Sequence, residues 1–92
     1  AMISARHLAK YQQALDDHLN AAAHLRRYDS IHAAALRAGY PGPFHDEGVA
    51  YAIWMDACNA TGYQLLAEIE AGTRAPLSVD DFIALLPALE LT

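Results

Sequence analysis

A single cysteine, a single lysine, two valines and two phenylalanines are spread over 92 residues, and no apolar run approaches the roughly 20 residues that cross a bilayer. With Cys58 alone, an intrachain disulfide and a thiolate metal cluster are excluded, which suits a reducing compartment. Basic residues are scarce as well: 6 Lys and Arg face 11 Asp and Glu, for a formal charge of -5. That sign opposes a phosphate-tracking surface, so nucleic acid is not an expected partner. No charged N-terminal stretch leads into an apolar signal core, so a soluble, unsecreted chain without membrane contact is expected. Strand-like alternation and internal repeats are missing, and so is a phosphate loop. Glycines 39, 42 and 48 follow no apolar strand, and Pro41 and Pro43 among them lack amide donors.

Alanine is abundant instead. Apolar residues make up 54 % of the chain, and 20 of them are Ala, while Leu, Ile, Val and Phe together number 21. A chain of this length makes one domain, 1–92, and hides only about 60–65 % of its unfolded surface. Its core must be thin and closed by small residues at short range, and an apolar strip left for a partner is in keeping with such a chain.

Ser4 is placed to cap a first helix, with Ile3 and Leu8 as its hydrophobic staple. Leu8, Tyr11, Leu15, His18, Leu19, Ala22 and Leu25 recur at helical spacing and predict a helix over 5–27, with Arg26 and Arg27 at the negative end of its dipole. Asp29 or Ser30 can cap a short second helix that turns Ile31, Ala34, Ala35 and Ala38 to one side, with Gly39 as a left-handed stop. Tyr40-Pro41-Gly42-Pro43-Phe44 reads as a stiff corner. Its Pro-Gly step favours a type II turn, and Pro43 suits the first position of a third helix. That helix is expected to run to Ala71, with Asp46 and Glu47 in its first turn and Gly72 as its stop. Its apolar stripe is Tyr51, Trp54, Met55, Cys58, Gly62, Leu65 and Ile69. Gly48 and Gly62 inside it imply the close approach of another backbone, or a bend. Ser78 caps a fourth helix, with Asp81 reaching back and Leu77 stapling onto Phe82, until Pro87 stops it. Residues 88–92 form either a docked extended arm or a frayed end. The expected fold class is all-α, a small helical bundle of two long and two short helices.

Groups suited to chemistry are few. The histidines at 7, 18, 24, 32 and 45 contain no i, i+4 pair that could aim two imidazoles at one ion, so no metal is expected. His18 fits a core or interface position. His45, Asp46 and Glu47 are sequence neighbours and point apart on a helix, and the helix dipole accounts for the two acids. Cys58 lies among Trp54, Met55 and Leu65, where burial raises a thiol pKa and disfavours a nucleophilic role. No catalytic residue and no cofactor is assigned, and the chain is expected not to be an enzyme. Tyr40, Phe44, Tyr51, Trp54 and Tyr63 gather around the corner and the first half of the third helix. They read either as core packing or as a partner-binding patch, since Tyr and Trp recur as interface anchors.

From residue 27 onward a series of short words recurs in order: Tyr28-Asp29-Ser30-Ile31, Ala38 through Phe44, Glu47-Gly48 with Trp54 seven residues after Glu47, Tyr63 through Leu66, Ala71 through Arg74, Phe82-Ile83-Ala84 and Leu86-Pro87. In this the chain resembles a family of small phage and prophage proteins encoded among tail and tail-fibre genes. It departs from that family around Trp54, where Met55 and Cys58 stand in place of aromatic or basic residues. The resemblance implies a non-enzymatic, tail-associated protein, a minor structural part or an assembly helper. Its implied partner is a phage tail or tail-fibre protein, met in the host cytoplasm during assembly or in the virion tail. An uncovered apolar strip also leaves a homo-oligomer open. The charge of -5 supports an alternative, a small acidic phage inhibitor that blocks a host defence or transcription protein. Against it, the carboxylates come as the pairs Asp16-Asp17, Asp46-Glu47 and Asp80-Asp81 and not as a long stripe.

Overall fold

Helix α1 (Ala5–His24) starts where the Ser4 hydroxyl accepts the His7 N–H at 3.2 Å, which satisfies one of the free donors at a helix start. The computed structural model describes residues 4–91, so the Ile3 half of the expected staple lies outside the described residues. Tyr11, Leu15, Leu19 and Ala23 are the buried face of α1. The helix stops short of the expected 27 because Arg27 is left-handed, with φ 69°. That turn lets the Tyr28 N–H reach the Ala23 carbonyl at 3.1 Å and the Arg27 N–H reach His24 at 3.0 Å, the bond pair that closes a helix around a left-handed residue. Leu25, expected on the apolar face, keeps helical dihedrals but lies about 200° round the helix from Ala23, and is 81 % exposed.

Helix α2 (Ile31–Leu36) is capped by Ser30, whose hydroxyl accepts the Ala33 N–H at 3.1 Å, and Asn20 of α1 accepts the Ile31 N–H at 2.9 Å. It tightens into a 3-10 turn over Arg37–Gly39 and leaves through an extended Tyr40. Gly39 is therefore not the expected left-handed stop, since Gly72 is the glycine with positive φ among the described residues. The corner also turns two residues later than its Pro-Gly step suggests, at Pro43-Phe44. The His45 N–H bonds to the Gly42 carbonyl at 3.2 Å, and Phe44, at φ -110° and ψ 8°, holds the third position of a type I turn behind Pro43. Pro43 thus stands outside helix α3 (His45–Ala71), for which Phe44 is the N-cap.

The buried stripe of α3 is Gly48, Tyr51, Trp54, Cys58, Gly62, Leu65 and Ile69, with Met55 half-buried beside it. Gly72, at φ 80°, ends the helix as expected, and the Glu68 carbonyl takes the Thr73 N–H at 3.0 Å. Helix α4 (Val79–Ala84) is capped by Ser78, whose hydroxyl accepts the Asp81 N–H at 3.1 Å, and it buries Phe82 completely.

Helices α1 and α3 run antiparallel. Leu15 lies beside Gly62, the His18 ring sits 5.5 Å from Trp54, and the Tyr51 hydroxyl donates to the Ala22 carbonyl at 2.8 Å. The α2 segment braces one end of α3 at Gly48. Helix α4 braces the other end, with Phe82 4.9 Å from the Tyr11 ring, and the Tyr11 hydroxyl donates to the Leu77 carbonyl. The molecule is all-α and long, with extents of 48 × 19 × 18 Å. Its radius of gyration is 14.6 Å, against about 12 Å for a rounded domain of this length. Among the described residues no helix is long and apolar enough to cross a membrane.

Candidate functional site

The sequence predicts a single patch of five aromatic residues, and the structure divides them. Tyr51 and Trp54 belong to the α3 stripe and are 0 % and 5 % exposed. Tyr51 is tied through its hydroxyl to α1 and meets Tyr28 edge-on at 5.8 Å. Trp54 donates its indole N–H to the Pro87 carbonyl at 2.8 Å. Both are core residues in this structure and present no exposed ring, so the patch is corrected: its solvent-facing part does not include them. Burial, helped by the nearby Glu47 carboxylate, also pushes the Tyr51 hydroxyl pKa upward.

Tyr40 and Phe44 are 46 % and 55 % exposed and share the corner. The extended backbone of Tyr40 and the turn at Pro43 hold them on either side of a cavity of about 30 Å³ lined by Arg37, Tyr40, Gly42, Pro43, Phe44 and His45. A cavity of that size admits a water or two and lies far below the several hundred Å³ that enclose a small-molecule substrate. Arg37 organises the corner: its Nη1 donates to the Tyr40 hydroxyl at 2.5 Å, and its guanidinium lies 5.8 Å from the centre of the Tyr28 ring. Its Nε is buried without a hydrogen-bond partner, and no carboxylate pairs with it among the described residues. His45 is fixed by a 3.0 Å contact between Nδ1 and the Tyr40 carbonyl.

Tyr63 is 68 % exposed but lies away from this corner. It sits 18 residues beyond the first residue of α3, about 27 Å along the helix. Ile53, also exposed, faces outward on α3. Sequence reasoning misses Arg37, for which its place three residues before Tyr40, one helical turn, is the available signal.

No acid–base pair is assembled here. His45 and Asp46 are successive residues of α3, which do not face each other on a helix, and Glu47 pairs with Arg26 at 3.2 Å across the surface. Cys58 is fully buried, which pushes its thiol up to about 11 and holds it in the unreactive protonated form. Among the described residues no group of three or more His, Cys, Asp or Glu side chains is placed to hold a metal ion. Comparison with protein-family models, with curated proteins and with solved structures gave no match.

Proposed function

We propose that this chain is a non-enzymatic binding protein that docks on another protein through the Tyr40–Phe44 corner. The resemblance seen in the sequence makes that partner a component of a phage tail or tail fibre, bound as a minor structural part or as an assembly helper. In this reading the two long helices are the shaft of a rod, and the two short ones brace its ends. The observation that carries the reading is the corner itself: two half-exposed aromatic rings are held by prolines and by Arg37, with no described chain element covering them. Rigid aromatic side chains lose little entropy on binding and are common interface anchors. Arg37, which lacks a carboxylate partner among the described residues, suits a partner that brings an acidic side chain to the rim.

Co-expression of a phage tail-fibre protein with and without this chain tests the proposal. Co-elution, or a higher yield of assembled fibre, is the expected result, and the Phe44→Ser variant should lose it. Unchanged yield with no co-elution counts against it. Capture of a host protein that dissociates steeply as salt rises would favour the acidic-inhibitor reading, because screening weakens exposed charge contacts.

A further inference from the structure

The last described residues lie against the buried stripe of α3. From Phe82, level with Gly62, the chain runs back along α3 to Pro87, level with Trp54 and Cys58. Residues 87–91 have no regular secondary structure, and their burial alternates: Pro87, Leu89 and Leu91 are half-buried, whereas Ala88 and Glu90 are exposed. A period of two is the signature of an extended peptide lying on a surface. Its attachment is through the main chain. The Pro87 carbonyl accepts the Trp54 indole N–H at 2.8 Å and faces the Cys58 sulfur at 3.8 Å. Among the described residues these are the hydrogen bonds that hold 87–91, and Leu86, Leu89 and Leu91 supply the apolar packing.

We propose that the surface of α3 at Trp54 and Cys58 is a groove for an extended peptide, occupied here by the chain's own strap of residues 86–91. A partner segment of the same chemistry, apolar at alternate positions and presenting a carbonyl to Trp54, displaces the strap. Sequence-independent main-chain contact combined with side-chain pockets at every second residue is a general mode of peptide capture. The strap shows what the groove accepts. It is also the easiest element to release, since opening it breaks no helix and leaves Trp54 free to hydrogen-bond to water. This inference is independent of the corner described above, whose residues take no part in it.

The chain carries one Trp and one Cys, and both touch the Pro87 carbonyl, so the unmodified chain reports on its own strap. Once uncovered, the Cys58 thiol regains an ordinary pKa and becomes reactive. In the Leu89→Ser, Leu91→Ser double variant, Cys58 should react with a disulfide-forming thiol reagent roughly tenfold faster or more, and Trp54 emission should shift to the red. Far-ultraviolet circular dichroism should stay at the parent level. A synthetic peptide of the parent sequence 86–91, added at millimolar concentration, should slow the labelling again. The proposal is overturned if the labelling rate is unchanged, if it rises only in step with global unfolding by urea, or if the peptide gives no protection.

Discussion

The two glycines inside α3 show how differently its ends are built. A Cβ on Gly48 would lie 2.6 Å from the Ala38 nitrogen, 2.6 Å from Arg37 Cβ and 2.8 Å from the Arg37 carbonyl carbon. The 3-10 turn therefore presses its backbone directly onto α3, and only the absence of a side chain allows it. A Cβ on Gly62 would meet Leu15 Cδ2 at 3.4 Å and Phe82 Cζ at 3.5 Å, which is ordinary contact with side chains. One end of the rod is closed by backbone against backbone, the other by a phenylalanine filling the space between helices. An alanine-rich chain short of large residues needs both solutions.

The largest effect should come at the side-chain end. Phe82→Ala empties a fully buried site between Tyr11 and Gly62 and should cost about 3–5 kcal/mol in urea unfolding, enough to melt α4 from the rod. At the backbone end, Gly48→Ala must push the 3-10 turn away and should cost about 2–3 kcal/mol, despite the higher helix propensity of Ala. A larger loss from Gly48→Ala than from Phe82→Ala would reverse the ranking of the two ends.

Two smaller changes should stabilise the protein. Arg27 and Gly72 close their helices with the same left-handed geometry, but only Gly72 adopts it without strain. Arg27→Gly should therefore raise the unfolding free energy by about 1 kcal/mol, and the same experiment would show no gain if Arg27 made a compensating contact. Gly62→Ala should raise it by about 0.5–1 kcal/mol through helix propensity, because the space exists. A loss there would mean that the second end is as crowded as the first.

Much of this architecture can be read from residue spacing. The seven-residue α3 stripe is reproduced with Met55 only half-buried and Gly48 added, the serine caps at 4 and 78 bond as expected, and Ser30 is the cap of the two candidates at 29 and 30. What cannot be read is backbone conformation at residues that do not announce it. Arg27 carries no sign that it will turn left-handed, whereas Gly39 and Gly42, which could, do not. A tight 3-10 exit at Gly39 and a type I turn at Pro43 meet the same geometric need by other means. The candidate site is legible in part. Tyr51 and Trp54 share the helical stripe with Cys58 and Leu65, and that periodicity already marks them as core, while Tyr63 falls outside the stripe. Tyr40 and Phe44 lie in a corner with no period, so only the folded chain separates them from the buried pair. The sequence leaves the terminal arm open between docking and fraying, because its contact is a carbonyl at Pro87 and leaves no trace in residue type.

In the proposed reading the inner aromatic pair, Tyr51 and Trp54, holds the fold, and the outer pair, Tyr40 and Phe44, is spare for a partner. Urea unfolding of the Tyr40→Ser, Phe44→Ser double variant tests this most directly. Half-exposed rings that support no core should leave the unfolding free energy within about 1 kcal/mol of the parent. A loss of about 3 kcal/mol or more would show that the corner is part of the core, with no ring spare for a partner.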